Sequence, residues 1–292
     1  MRLCTFEQGQ EPQVGVVQAE TVIPLAALGR FPATMLGLIA AGPPAWLALR
    51  QALAGDHPAG LPLNSVHLLA PIPRPPKNVI CLGLNYAAHA QESAAARGQV
   101  AKPLDYPVVF TKAGTSVNGP YDPIPYDPAV SVEIDWEAEL GVVIGRPGRG
   151  ISAATALDHV FGYTIINDVT ARDIQRQHKQ YFLGKSLDGA CPIGPWIVTA
   201  DEIPDPQQLR LRTLVNGQLK QDGHTANQIF NVATTISILS RGMTLEAGDV
   251  IATGTPEGVG FARTPPEFLR PGDVVQCEIE AIGHIRNVIR QA

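Results

Sequence analysis

The residues with most chemistry to offer lie in Val132-Glu-Ile-Asp-Trp-Glu-Ala-Glu-Leu140, which alternates strictly. On an extended strand Val132, Ile134, Trp136, Ala138 and Leu140 share one face, and Glu133, Asp135, Glu137 and Glu139 share the other. A solvated face normally mixes signs, whereas four acids in one column repel one another. Same-face neighbours lie roughly 7 Å apart, a span one divalent cation can bridge. The pattern fits a bound cation or a solvated acidic face, and by itself does not choose which acids would bind. Asp168 offers a further carboxylate. It follows a strand expected over Val160–Asn167 and precedes a helix expected over Thr170–Lys179, where its bland role is that of a cap. Three carboxylates completed by water make a hard, oxygen-rich site suited to Mg²⁺ or Mn²⁺ rather than zinc.

His89 and Glu92 form the second constellation. Three residues apart on a helix, they share a face. A glutamate on one ring nitrogen orients the imidazole and raises its basicity, leaving the other nitrogen free to take a proton. An exposed pair worth a few tenths of a kcal/mol is the bland alternative.

These residues need elements to hold them. An Ala-rich helix is expected over Tyr86–Arg97, with Asn85 as N-cap and Gly98 as the stop. Strands are expected over Val79–Leu82, Pro107–Thr111, Val132–Ile144, Val160–Asn167, Trp196–Thr199, Leu211–Asn216, Val250–Thr253, Val274–Ile279 and His284–Ile289, and a further helix around Val232–Arg241. The first seventy or so residues read as short strands and two short helices. The proline-rich connector Ala70-Pro-Ile-Pro-Arg-Pro-Pro-Lys77 then divides a small N-terminal α+β unit (1–72) from a larger, β-rich one (73–292). The fold class is α+β.

Composition sets the outer limits. The 292 residues are 45% hydrophobic and 17% charged with a net charge of −5, which excludes wholesale disorder. No Lys/Arg cluster marks a nucleic-acid surface. The longest uncharged stretch, Phe31–Leu49, is interrupted by Gly42, Pro43 and Pro44, so no membrane span is expected. Cys4, Cys81, Cys191 and Cys277 form no CxxC, which argues against a disulfide scaffold or a thiolate zinc site and for a reducing, cytoplasmic setting.

From Lys77 to Asn287 the chain resembles the fumarylacetoacetate hydrolase family. Five ordered motifs carry the resemblance: Gly83-Leu-Asn-Tyr-Ala-Ala-His89-Ala-Gln-Glu92, Asp135-Trp-Glu-Ala-Glu139, Asn167-Asp168-Val-Thr-Ala-Arg172-Asp173, Gly184-Lys185-Ser-Leu-Asp188 and Thr253-Gly-Thr-Pro256. It implies a mixed β-roll, usually a homodimer. It also implies Glu137, Glu139 and Asp168 as the Mg²⁺ or Mn²⁺ ligands, with Glu133 and Asp135 left to structure. His89 and Glu92 become a water-activating dyad on a lid helix, Lys185 a lysine facing the substrate, and Tyr86, Lys112, Arg172, Gln175 and Thr253 lining of the pocket. In one departure, Phe110-Thr-Lys112 is followed by Ala113 where many members have proline, which suggests a looser loop.

Three carboxylates overcompensate a divalent ion by one unit and an anionic keto acid adds more, so Lys185 and Arg172 are expected to offset that charge. The function implied is hydrolysis of a carbon–carbon bond in an acylpyruvate or related 1,3-diketo acid. Two rivals use the same site, oxaloacetate decarboxylation and hydroxymuconate-type isomerisation. A third, from another class, is a non-catalytic, metal-stabilised binding protein.

Overall fold

The computed structural model describes residues 1–9 and 11–292. Its centre is a twelve-stranded sheet. Seven successive strands, running out to one end of its order, are Arg2–Glu7, Cys191–Thr199, Val160–Asn167, Ala138–Ile144, Val250–Ala252, Val79–Gly83 and Val108–Lys112. A five-stranded sheet of Gln218–His224, Arg210–Val215, Val274–Ile279, Gly283–Gln291 and Ile124–Tyr126 packs beside it. The protein is thus strand-rich α+β, with few helices. No helix among the described residues is long and apolar enough to cross a membrane.

The strand Ala138–Ile144 is buried along its whole length. Ala138, Leu140, Val142 and Ile144 enter one apolar cluster and Val143 another, which explains the unbroken apolar run at its C-terminal end. The N-terminal segment shares this architecture. Arg2 and Leu3 pair antiparallel with Val198 and Ile197, and Leu3, Val14, Leu38 and Leu49 belong to the same cluster as Val143 and Ile193. All four cysteines are buried and free.

Most expected elements appear within one or two residues of their predicted bounds. Two differ in ways that matter. The strand expected over Val132–Ile144 is two, Ile134–Asp135 and Ala138–Ile144. The chain turns between them because the Trp136 N–H donates to the Asp135 side chain (2.8 Å) instead of to a ladder partner. The helix expected from Tyr86 runs over Ala87–Ala95, and Asn85 does not cap it. The Asn85 amide instead donates to the carbonyls of Thr253 (2.7 Å) and Phe230 (3.0 Å) and accepts from the Phe230 N–H (2.8 Å), riveting the start of the helix to two other segments.

Candidate active site

Register brings the acids together. Ala138 pairs with Asn167 and Glu139 with Ile166 in the antiparallel ladder. The first residues of one strand therefore lie beside the last of the other. Asp168, one step beyond the ladder, donates its N–H to the Glu137 carbonyl (2.9 Å), and the Asn167 side chain accepts from the Glu137 N–H (3.0 Å). Oxygens of Glu137, Glu139 and Asp168 all lie within 4.8 Å of one another, and all three residues are buried. The acids of the column are thus not a solvated face. Asp135 is fully buried as well, accepting from the N–H groups of Gly260 (2.7 Å) and Phe261 (3.0 Å) and pairing with Arg172 Nε (2.8 Å), while Glu133 pairs with Arg176 (2.7 Å) nearer the surface.

Cations close round two of the three clustered acids. Lys185 Nζ lies 2.6 Å from Glu137 and 2.7 Å from Asp168. Arg172 lies 2.6 Å from the other Glu137 oxygen, and Lys112 2.7 Å from Asp168. Burial alone would push the Glu137 carboxyl up, but Lys185, Arg172 and His89 outweigh it and hold its pKa at about 2. Burial works against charge on Lys185 too, yet Asp168 and Glu137 more than reverse it and raise that pKa.

Glu139 is different. It accepts from the Gly254 N–H (2.7 Å) but, among the described residues, no cation stands within ion-pair distance. Burial, reinforced by the Asp168 and Glu137 carboxylates, pushes its pKa well above the usual carboxylate range. A buried, ionised carboxylate beside two others is costly unless a cation joins them. The donors are all oxygen, which suits a hard divalent ion, so the residues present fit a metal.

Over the acids lies the helix Ala87–Ala95. His89 Nδ1 is 2.9 Å from a Glu92 oxygen, and Glu92 also accepts from the Gly258 N–H (2.9 Å). His89 is buried and lines a narrow cleft together with Glu137, Glu139, Arg172, Gln175 and Lys185. The same glutamate thus orients the imidazole and docks its helix. Gly258 has φ +100°, and a Cβ there would collide with the Lys220 carbonyl. We expect Gly258→Ala to cost about 1–3 kcal/mol and to loosen the helix. Thermal melting together with hydrogen exchange of the Ala87–Ala95 amides tests this, and unchanged exchange there would refute it.

The remaining residues predicted from sequence divide. Arg172 and Gln175 reach the cleft wall, joined to each other by a 3.1 Å hydrogen bond. Tyr86, Lys112 and Thr253 do not line it. Tyr86 packs beneath the helix with its hydroxyl 3.4 Å from Gln228 Nε2. Thr253 donates to the Leu140 carbonyl (2.9 Å) and accepts from Gln228 (2.8 Å). Lys112 is wholly buried behind Asp168 and also donates to the Val169 carbonyl (3.0 Å). Nor is the loop after Lys112 loose. The Ala113 N–H donates to Ser186 Oγ (3.0 Å), tying it to the neighbour of Lys185 with a donor that proline lacks. Sequence reasoning missed Phe110, Tyr181, Phe261, Ser93, Arg97 and Thr255, all on the cleft wall.

Fold and site together define an enzyme scaffold built round a buried carboxylate cluster able to hold a metal. The description "Fumarylacetoacetate (FAA) hydrolase C-terminal" matches residues 78–290, and "Rv2993c-like, N-terminal" matches residues 1–71. The chain belongs to the fumarylacetoacetate hydrolase family. It is 51% identical over 227 residues to oxaloacetate tautomerase YisK of Bacillus subtilis, covering 78% of this chain and 74% of that one. Among solved structures, the fumarylacetoacetate hydrolase of Exiguobacterium antarcticum is 43% identical with a TM-score of 0.85, each chain covered in full. The maleylpyruvate hydrolase of Sphingobium sp. SYK-6, in complex with manganese(II) and pyruvate, is 32% identical with a TM-score of 0.79, again with both chains fully covered.

Proposed function

We propose that this enzyme interconverts the keto and enol forms of a small 2-oxo diacid of the oxaloacetate type, with Mg²⁺ or Mn²⁺ held by Glu137, Glu139 and Asp168. The observation that carries the reading is His89, fixed through Nδ1 by Glu92 and presented to a cleft above the three acids. The bound ion supplies Lewis-acid polarisation of the 2-oxo group. In the keto-to-enol direction His89 Nε2 takes a proton from C3 and the C2 oxygen gains one from water; in the reverse direction both transfers run backwards. Lys185 spends two of its three N–H donors on Glu137 and Asp168 and keeps the third for the substrate oxygen. The activity of the Bacillus relative supports this reading.

Hydrolysis of an acylpyruvate is the second reading. The same dyad can activate water, and the Sphingobium neighbour, a hydrolase, holds manganese and pyruvate. Enol-to-keto conversion of oxaloacetate and cleavage of acylpyruvates, assayed side by side with each ion, separate the two. We expect the first activity to dominate; cleavage without tautomerisation would reverse the order. The homodimer implied by the family resemblance belongs to this proposal too, and light scattering of the purified protein checks it.

A further inference from the structure

We propose that Arg97 is a specificity-determining residue that binds the distal carboxylate of a diacid substrate. The inference rests on the 2-oxo acid reading above and deepens it. Three cationic side chains line the cleft: Arg97, Arg172 and Lys185. Two are committed. Arg172 holds Asp135, Glu137 and Gln175, and Lys185 holds Glu137 and Asp168. Arg97 alone has no carboxylate within ion-pair distance among the described residues. Its guanidinium is instead set by Phe261, with Cζ 5.8 Å from the ring centroid.

That ring is a fixed platform. The Phe261 N–H donates to Asp135 (3.0 Å), and Arg172 Cζ lies 4.4 Å from the same centroid. Arg97 therefore shares a ring with the guanidinium that grips Glu137, on the wall of the same cleft. The helix ends beside it, at Ala95, with Gly98 at φ +66° turning the chain. Arg97 thus stands two residues beyond the last residue of the helix that presents His89. A substrate with one carboxylate toward the acids leaves its other end facing this uncommitted guanidinium, whose fork matches a carboxylate in geometry and charge.

The test compares two ligands of equal length that differ in one group: oxaloacetate, and 2-oxobutanoate, in which methyl replaces the distal carboxylate. Calorimetry on Mg²⁺-loaded protein reads affinity, and enol-to-keto conversion of oxaloacetate reads KM and kcat. Arg97→Met keeps an apolar stem on Phe261 and removes the fork. We expect oxaloacetate affinity to fall about 10- to 100-fold, KM to rise in parallel with kcat little changed, 2-oxobutanoate binding to move less than twofold, and Arg97→Lys to recover part of the loss. Equal effects on both ligands, or none on either, overturn the proposal, as does a wild type that binds the two alike. A wild type that binds oxaloacetate through Arg97 yet leaves its enol unconverted overturns the tautomerase reading alone and upholds Arg97.

Discussion

Glu139→Gln is expected to abolish metal-dependent turnover, by about 10³-fold or more, because Lewis-acid polarisation is worth several kcal/mol. Stability should move in the opposite direction. Glu139 has its pKa raised by burial, Asp168 and Glu137, so its ionised form penalises the metal-free fold. That penalty is absent at pH values below the unfolded-state value and grows as pH rises toward the folded one. At neutral pH metal-free Glu139→Gln should therefore melt above the metal-free wild type, and the gap should close as pH falls into the ordinary carboxylate range. Mg²⁺ or Mn²⁺ should raise the melting point of the wild type and not of the variant. Glu137→Gln carries the other sign. Its pKa is held at about 2 by cations that overcome burial, so it contributes stability above the unfolded value that is lost as pH falls toward the folded one. Its neutralisation weakens the hold on buried Lys185 and Arg172 and should cost about 3–5 kcal/mol, as for a broken buried pair. Melting curves of the two variants with and without chelator decide the matter. If both lose stability alike in the absence of metal, Glu139 is not the uncompensated member of the cluster.

The asymmetry between these two glutamates was not legible in the sequence, although their shared role was. Alternation placed them on one face, and the family resemblance chose them over Glu133 and Asp135. Which cations they meet depends on residues 35 or more positions away that the ladder between Ala138–Ile144 and Val160–Asn167 brings near. Val160–Asn167, an apolar run, and Val274–Ile279, which alternates between buried and half-buried, were readable to the residue. Gln218–His224 was missed because its buried positions are Gln221 and Gly223 rather than large apolar side chains. The better signal was the turn before it, Asn216-Gly217, with φ values of 51° and 77°. Asn85 misled for a related reason. An Asn before a helix suits a cap, but here Thr253 and Phe230, far along the chain, claim its amide. The cleft wall was the least legible part. Phe261 and Arg97 lie outside every motif, and what ties Phe261 to the acids is Asp135, which grips the backbone at Gly260 and Phe261, and Arg172, which lies over its ring.

His89→Ala should separate proton transfer from metal chemistry. The imidazole is held in a defined orientation in the cleft through the 2.9 Å contact with Glu92. Removing it leaves Glu137, Glu139 and Asp168 in place, so metal binding should persist unchanged by calorimetry. Losing a general base typically costs about 10²–10⁴-fold. Enol-to-keto conversion, and any acylpyruvate cleavage, should fall by that order. Decarboxylation of oxaloacetate needs only an electron sink, which a metal on the three acids provides, so whatever rate the wild type shows there should survive in large part. Glu92→Gln should lose less proton transfer than His89→Ala, since the imidazole remains, and should also loosen the helix by weakening the bond to the Gly258 N–H. Measuring the three activities on both variants at one saturating Mg²⁺ concentration distinguishes the roles. If decarboxylation collapses together with tautomerisation in His89→Ala while metal binding holds, His89 positions the substrate rather than carrying its proton, and Lys185, with its raised pKa and its place between Glu137 and Asp168, becomes the group whose N–H must serve the reaction.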